Sequence, residues 1–79
     1  MTNDEAHGVI ATVLSGIAPE VDLTTCDTGA PMTRELDLDS MDVLALLAGI
    51  AEASGVDIPE SDVEPEWSID DLAAHLVAG

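Results

Sequence analysis

The chemistry in this chain concentrates in one short run, Leu36-Asp37-Leu38-Asp39-Ser40-Met41-Asp42. It puts a serine hydroxyl directly ahead of an apolar stretch that reads as a helix. The first N–H groups of a helix have no partner inside it and favour a phosphate, so a phosphodiester on Ser40 suits that field. The flanking carboxylates repel a phosphate and serve better as handles for a basic modifying enzyme. The competing role for Ser40 is a plain helix cap, and on local sequence alone the cap is favoured, because Asp-Ser pairs are common at helix starts.

No other cluster offers comparable chemistry. Asp37, Asp39 and Asp42 do not follow calcium-loop order, since the loop's Gly and distal Glu are missing. His7 and His75 stand far apart in sequence and are expected to be solvated. Ser40, a His and an Asp all occur, but no spacing sets up a triad, and there is no Gly-rich phosphate loop. Cys26 has no His or cation near it in sequence and is read as a small, partly buried filler. Neither catalytic nor metal-binding residues are expected.

Three main helices must position Ser40. Residues 3–17 place Ala6, Val9, Ile10, Val13, Leu14 and Ile17 on one face, with Thr2 and Glu5 at capping-box spacing, Asn3 and Asp4 as alternative caps, and Pro19 blocking continuation. Residues 40–54 form a central helix, with Asp39 or Ser40 as its cap, Asp42 in its first turn and Gly55 as its stop. After Asp42 its only charged residue is Glu52, so it is either buried all round or presents an outer face to something. The last helix, 69–78, starts from a Ser68/Asp71 box, with Trp67 placed to staple onto Leu72. Ile69, Leu72, Ala73, Leu76 and Val77 are its predicted buried face. Residues 60–64 suit one or two helical turns ended by Pro65. The connection 18–38 is long for a compact domain, with Val21, Leu23, Met32 and Leu36 as its candidate pins. The predicted fold is all-α: three main helices plus one short one, with a long loop after the first.

Charge and length narrow the function. The chain has 79 residues, one Cys, no Phe or Tyr, and a single aromatic, Trp67. Its stability must come from aliphatic packing without disulfides. One Arg against 17 Asp and Glu gives a formal net charge of −16. Such a surface repels nucleic acid and anionic lipid, attracts basic protein surfaces, and folds better in salt or divalent cations. No apolar run approaches a membrane span. We expect one domain, 1–79, in a soluble cytoplasmic monomer.

The frame around Ser40 resembles the acyl carrier protein family. Ala30-Pro31-Met32, then Leu36 to Met41, then the apolar helix and Ile58-Pro59 follow that family's order, whose signature is a Leu-Gly-x-Asp-Ser-Leu/Met run opening the second helix. The resemblance implies that a phosphopantetheinyl transferase attaches 4′-phosphopantetheine to Ser40. It further implies an acyl or aminoacyl thioester on the arm's thiol, and no catalysis by the chain itself. A tethered substrate is presented to each partner at raised effective concentration. The implied partners are the transferase, a loading enzyme and downstream pathway enzymes with basic docking surfaces. Asp39, Met41 and Asp42 match docking positions, Asp39 most closely. The chain departs from the family at Asp37, where Gly is usual and an αL turn is less natural with Asp. It departs again at Ala45, Ala51 and Ala53, where Glu is frequent, and at Ser54, where an aromatic is common. These changes weaken the acidic stripe and point to partners other than fatty acid synthase enzymes. Leu44, Ala45 and Ala48 are then either a hydrophobic docking face or ordinary core. A fatty-acid-like or polyketide-like acyl carrier is the leading expectation. The alternatives are a D-alanyl or peptidyl-type aminoacyl carrier and an unmodified acidic adaptor.

Overall fold

The computed structural model describes every residue except Thr24, Pro65 and Gly79, and every described side chain except that of Glu60. Among the described residues there are four α-helices: α1 (Asn3–Ile17), α2 (Met32–Glu35), α3 (Ser40–Ser54) and α4 (Ile69–Ala78). A 3₁₀ turn covers Glu60–Asp62, and an isolated antiparallel bridge joins Pro31 to Ser68. The all-α expectation holds. The turn at 60–62 is shorter than the helix predicted there, and its predicted stop, Pro65, lies outside the described residues.

Each long helix begins where its side chains satisfy the free N–H groups. Thr2 Oγ1 accepts from the Glu5 amide at 3.1 Å while Glu5 returns to the Thr2 amide at 3.2 Å. That contact holds the Glu5 carboxyl below its usual pKa. At α4 the Ser68 hydroxyl oxygen accepts from the Asp71 amide, and Asp71 accepts from the Ser68 amide. The part-buried cap at α4 contributes about 1 kcal/mol. Gly55 closes α3 in the left-handed region, φ 76°, with its N–H on Ala51 O. Glycine takes that conformation without the clash a Cβ brings.

α1 lies against both α3 and α4. Ala6, Ile10 and Leu14 of α1 meet Leu46, Leu47 and Ile50 of α3 and Ile69, Leu72, Ala73 and Leu76 of α4 in one buried cluster. Fully burying a Leu or Ile contributes roughly 1.5–3 kcal/mol, so aliphatic side chains suffice where Phe and Tyr are absent. α3 comes close to α1 at Gly49, where an added Cβ would sit 2.5 Å from Val13 Cγ1. Val77, expected on the buried face of α4, is 43% exposed instead. It keeps the spacing of the stripe but lies in the last turn of α4, one residue before its end, and the buried cluster stops at Leu76.

The long connection is pinned as expected: Met32 and Leu36 are buried, and Val21, Leu23 and Cys26 pack against the core. Within it, however, lies α2, a single helical turn. Its start is fixed by a distant strut, the Met32 N–H donating to Trp67 O at 2.9 Å.

Candidate functional site

The segment from α2 to α3 sets the position of Ser40. α2 ends in a reversal at Asp37, whose φ is 54°. Leu38 N–H reaches back to Thr33 O at 3.1 Å, the six-to-one bond of a Schellman turn, with Asp37 where Gly is usual. The αL turn therefore forms despite the missing Gly. Asp is among the residues that tolerate this region best, though at a cost. Leu36 and Leu38, 8% and 6% exposed, anchor both sides of the turn in the core.

Asp39 then caps α3, which decides between the two candidate caps. Its Oδ1 accepts from the Asp42 amide at 2.8 Å, and Asp42 Oδ2 accepts more weakly from the Asp39 amide at 3.4 Å. Ser40 becomes the first helical residue. It is exposed, and no hydrogen bond among the described residues uses its hydroxyl. The amides of Ser40 and Met41 belong to the first turn and have no carbonyl four residues back within the helix. Chemically, this is an accessible alcohol on a rigid frame, beside unpaired N–H groups and between carboxylates at Asp37, Asp39 and Asp42.

The neighbouring face of α3 is apolar and open. Met41 is 70% and Leu44 38% exposed, and Ala45 and Ala48 are exposed as well. The choice between core and outer face falls to the outer face for Leu44, Ala45 and Ala48. An exposed stripe at i, i+3, i+4 and i+7 is the pattern by which a helix lies in a partner's groove. Asp42 is half-buried and tied into the cap.

Other groups do not join Ser40 in this chemistry. Cys26 borders a depression of about 480 Å³ with Glu20, Asp22, Glu35 and Asp37 around it. Burial, then the charge of Glu35, pushes its thiol pKa up, which makes it a poor nucleophile. Trp67 packs against the core, and its ring lies 5.4 Å from that of His75. His7 corrects the expectation of a solvated histidine: its Nε2 is 2.9 Å from Asp70 Oδ1. Among the described residues no group of three or more His, Cys, Asp or Glu is arranged to hold a metal, and no helix is long and apolar enough to cross a membrane.

An accessible, unbonded serine hydroxyl opening a helix is what a covalently attached phosphate arm requires, and the residues here fit one. Residues 9–76 match the family model described as "Phosphopantetheine attachment site". The chain belongs to this family of carrier domains, which bear 4′-phosphopantetheine covalently and are not enzymes. It is 29% identical over 75 residues to the "Acyl carrier protein" of Campylobacter jejuni subsp. doylei, covering 95% of this chain and 91% of that one. No solved structure matches the chain significantly.

Proposed function

We propose that Ser40 is the attachment residue and that the chain is an acyl carrier, passing acyl groups between the enzymes of a fatty-acid-like or polyketide-like pathway. The observation that carries this reading is the free Ser40 hydroxyl, exposed at the first position of α3 with Asp39 rather than Ser40 acting as cap. The arm supplies a terminal thiol on which cargo rides as a thioester. The protein's share is positional. Leu36 and Leu38 fix the turn, the Asp39/Asp42 box fixes the helix start, and both aim the serine oxygen outward. Resemblance to a named acyl carrier over nearly the full length of both chains supports acyl cargo.

Docking rests on the same end of α3. Asp39 and Asp42 offer charge to a basic enzyme surface, while Met41 and Leu44, extended by Ala45 and Ala48, offer an apolar contact. The net charge of −16 draws basic partners in from a distance, and the stripe provides contact once they arrive. The partners are a phosphopantetheinyl transferase, then loading and downstream enzymes, met by a cytoplasmic monomer.

Co-expression with a broad-specificity transferase, followed by intact-mass measurement and peptide mapping, tests the reading. One phosphopantetheine on the peptide containing Ser40 is expected. An unchanged mass would leave an unmodified acidic adaptor, and a label on Ser15, Ser54, Ser61 or Ser68 would move the site.

A further inference from the structure

His7 is placed for a proton-dependent role independent of Ser40. Its Nδ1 lies 2.9 Å from Asn3 O, one turn back in α1, and its Nε2 lies 2.9 Å from Asp70 Oδ1 at the start of α4. A carbonyl oxygen and an ionised carboxylate only accept hydrogen bonds. Both ring nitrogens must then carry hydrogen for both contacts to hold, and only imidazolium does so. A neutral ring keeps one contact and gives up the other.

The charges around the ring favour the extra proton. Asp4 acts from α1 itself and Asp70 from α4. Asp27 stands just behind in the loop. Its Oδ1 and Asp70 Oδ2 lie 3.4 Å and 3.8 Å from the point a Cβ on Gly29 would occupy. On the positive side, the amino terminus lies close enough to act on Glu5, and the chain has one Arg and no Lys. Asp70 also holds the loop by its backbone, its N–H donating to Thr28 O at 3.0 Å. α1, the start of α4 and the loop thus meet at one ionic contact.

We infer that His7 is a proton-operated latch: the doubly protonated ring pairs ionically with Asp70, fastening α1 to the start of α4 and the adjoining loop while staying tied to its own helix at Asn3, and loss of one proton removes the ionic attraction and one of the two ties. The Asn3 carbonyl, then the Asp70 carboxylate, raise the ring's pKa, with partial burial opposing. The folded-state value therefore lies above the unfolded value of about 6.5. The latch stabilises fully below that unfolded value, and its contribution disappears as pH rises through the higher folded-state value.

The test is an NMR titration of the His7 ring protons in the full chain, alongside thermal melting at several pH values. The midpoint is expected above about 6.5, to fall in Asp70→Asn, and to stay in place in Asp57→Asn, which removes a carboxylate elsewhere. Glutamine can satisfy at most part of this pair of contacts without a charge, so the wild-type melting temperature should exceed that of His7→Gln by a margin that widens from about pH 8 to about pH 6. A wild-type midpoint at or below the free value, an equal shift in both Asp variants, or a margin flat across pH overturns the latch. Should His7→Gln not fold, the titrations decide alone.

Discussion

The starts of α3 and α4 are built from the same parts and use them differently. Each has a serine, a reciprocal box with an aspartate three residues beyond the cap, and an apolar helix behind. At α4 the serine is the cap: Ser68 is 4% exposed and its hydroxyl accepts from the Asp71 amide. At α3 the aspartate one position earlier takes that duty, and Ser40 slides to the first helical position, exposed and unbonded. A shift of one residue separates a serine committed to structure from one free for chemistry. Serine at a helix start is thus a poor marker of function until the cap is known.

The widest gap between the two serines is expected on substitution by alanine. Ser40→Ala should abolish phosphopantetheine loading and leave melting nearly unchanged, since no hydrogen bond is lost. Ser68→Ala should load normally but lose about 1–2 kcal/mol by removing a cap from a partly buried amide. That amounts to a fall of roughly 4–8 °C per kcal/mol in a domain of this size. Intact mass and thermal melting on both variants read the contrast. Loss of loading in Ser68→Ala without loss of fold would break it.

A finer separation concerns what Asp39 does besides capping. Asparagine caps a helix about as well as aspartate, so Asp39→Asn keeps the frame and removes only charge. Loading is expected to slow several-fold at low salt, the range over which local charge changes association rates. Asp57→Asn, an exposed carboxylate beyond the far end of α3, should slow it less. Equal initial rates would assign the effect to the overall charge and take docking away from Asp39.

The sequence spoke clearly where a local pattern carries the structure. The bounds of α1, α3 and α4 follow from caps and periodicity, because Thr2/Glu5, Ser68/Asp71 and Gly55 act on their own neighbours. The choice between Asp39 and Ser40 as cap stayed open, since a helix start shifted by one residue leaves the apolar pattern almost unchanged. α2 escaped because one turn is too short to show a period. Its start rests on Trp67, 35 positions further along the chain than Met32. His7 and Asp70 meet across 63 positions, a pairing no spacing rule reaches. The openness of Leu44 and Ala48 depended on which side of α3 faced α1. Gly49 against Val13 marks that side, but only after folding.

Asp37 makes the smallest predicted difference and tests whether the approach to Ser40 stores strain that the approach to Ser68 lacks. Among the described residues it is the one non-glycine with positive φ. The left-handed region costs an L-residue roughly 1–2 kcal/mol, less for Asp. Glycine relieves that cost but gives up more freedom on folding. Asp37→Gly should therefore gain about 0.5 kcal/mol net, or roughly 2–4 °C. Removing a carboxylate from so acidic a chain also stabilises, which confounds the comparison with wild type. Asp37→Asn separates the two, because asparagine drops the charge while keeping a side chain in the turn. The expected order of melting temperatures is Gly above Asn, and Asn at or above Asp. Loading rates of the Gly and Asn variants should match, since the turn and the Asp39 cap survive in both. A Gly variant melting no higher than the Asn variant would mean that Leu36 and Leu38 hold the turn without strain, leaving only charge to distinguish Asp37 from the usual glycine.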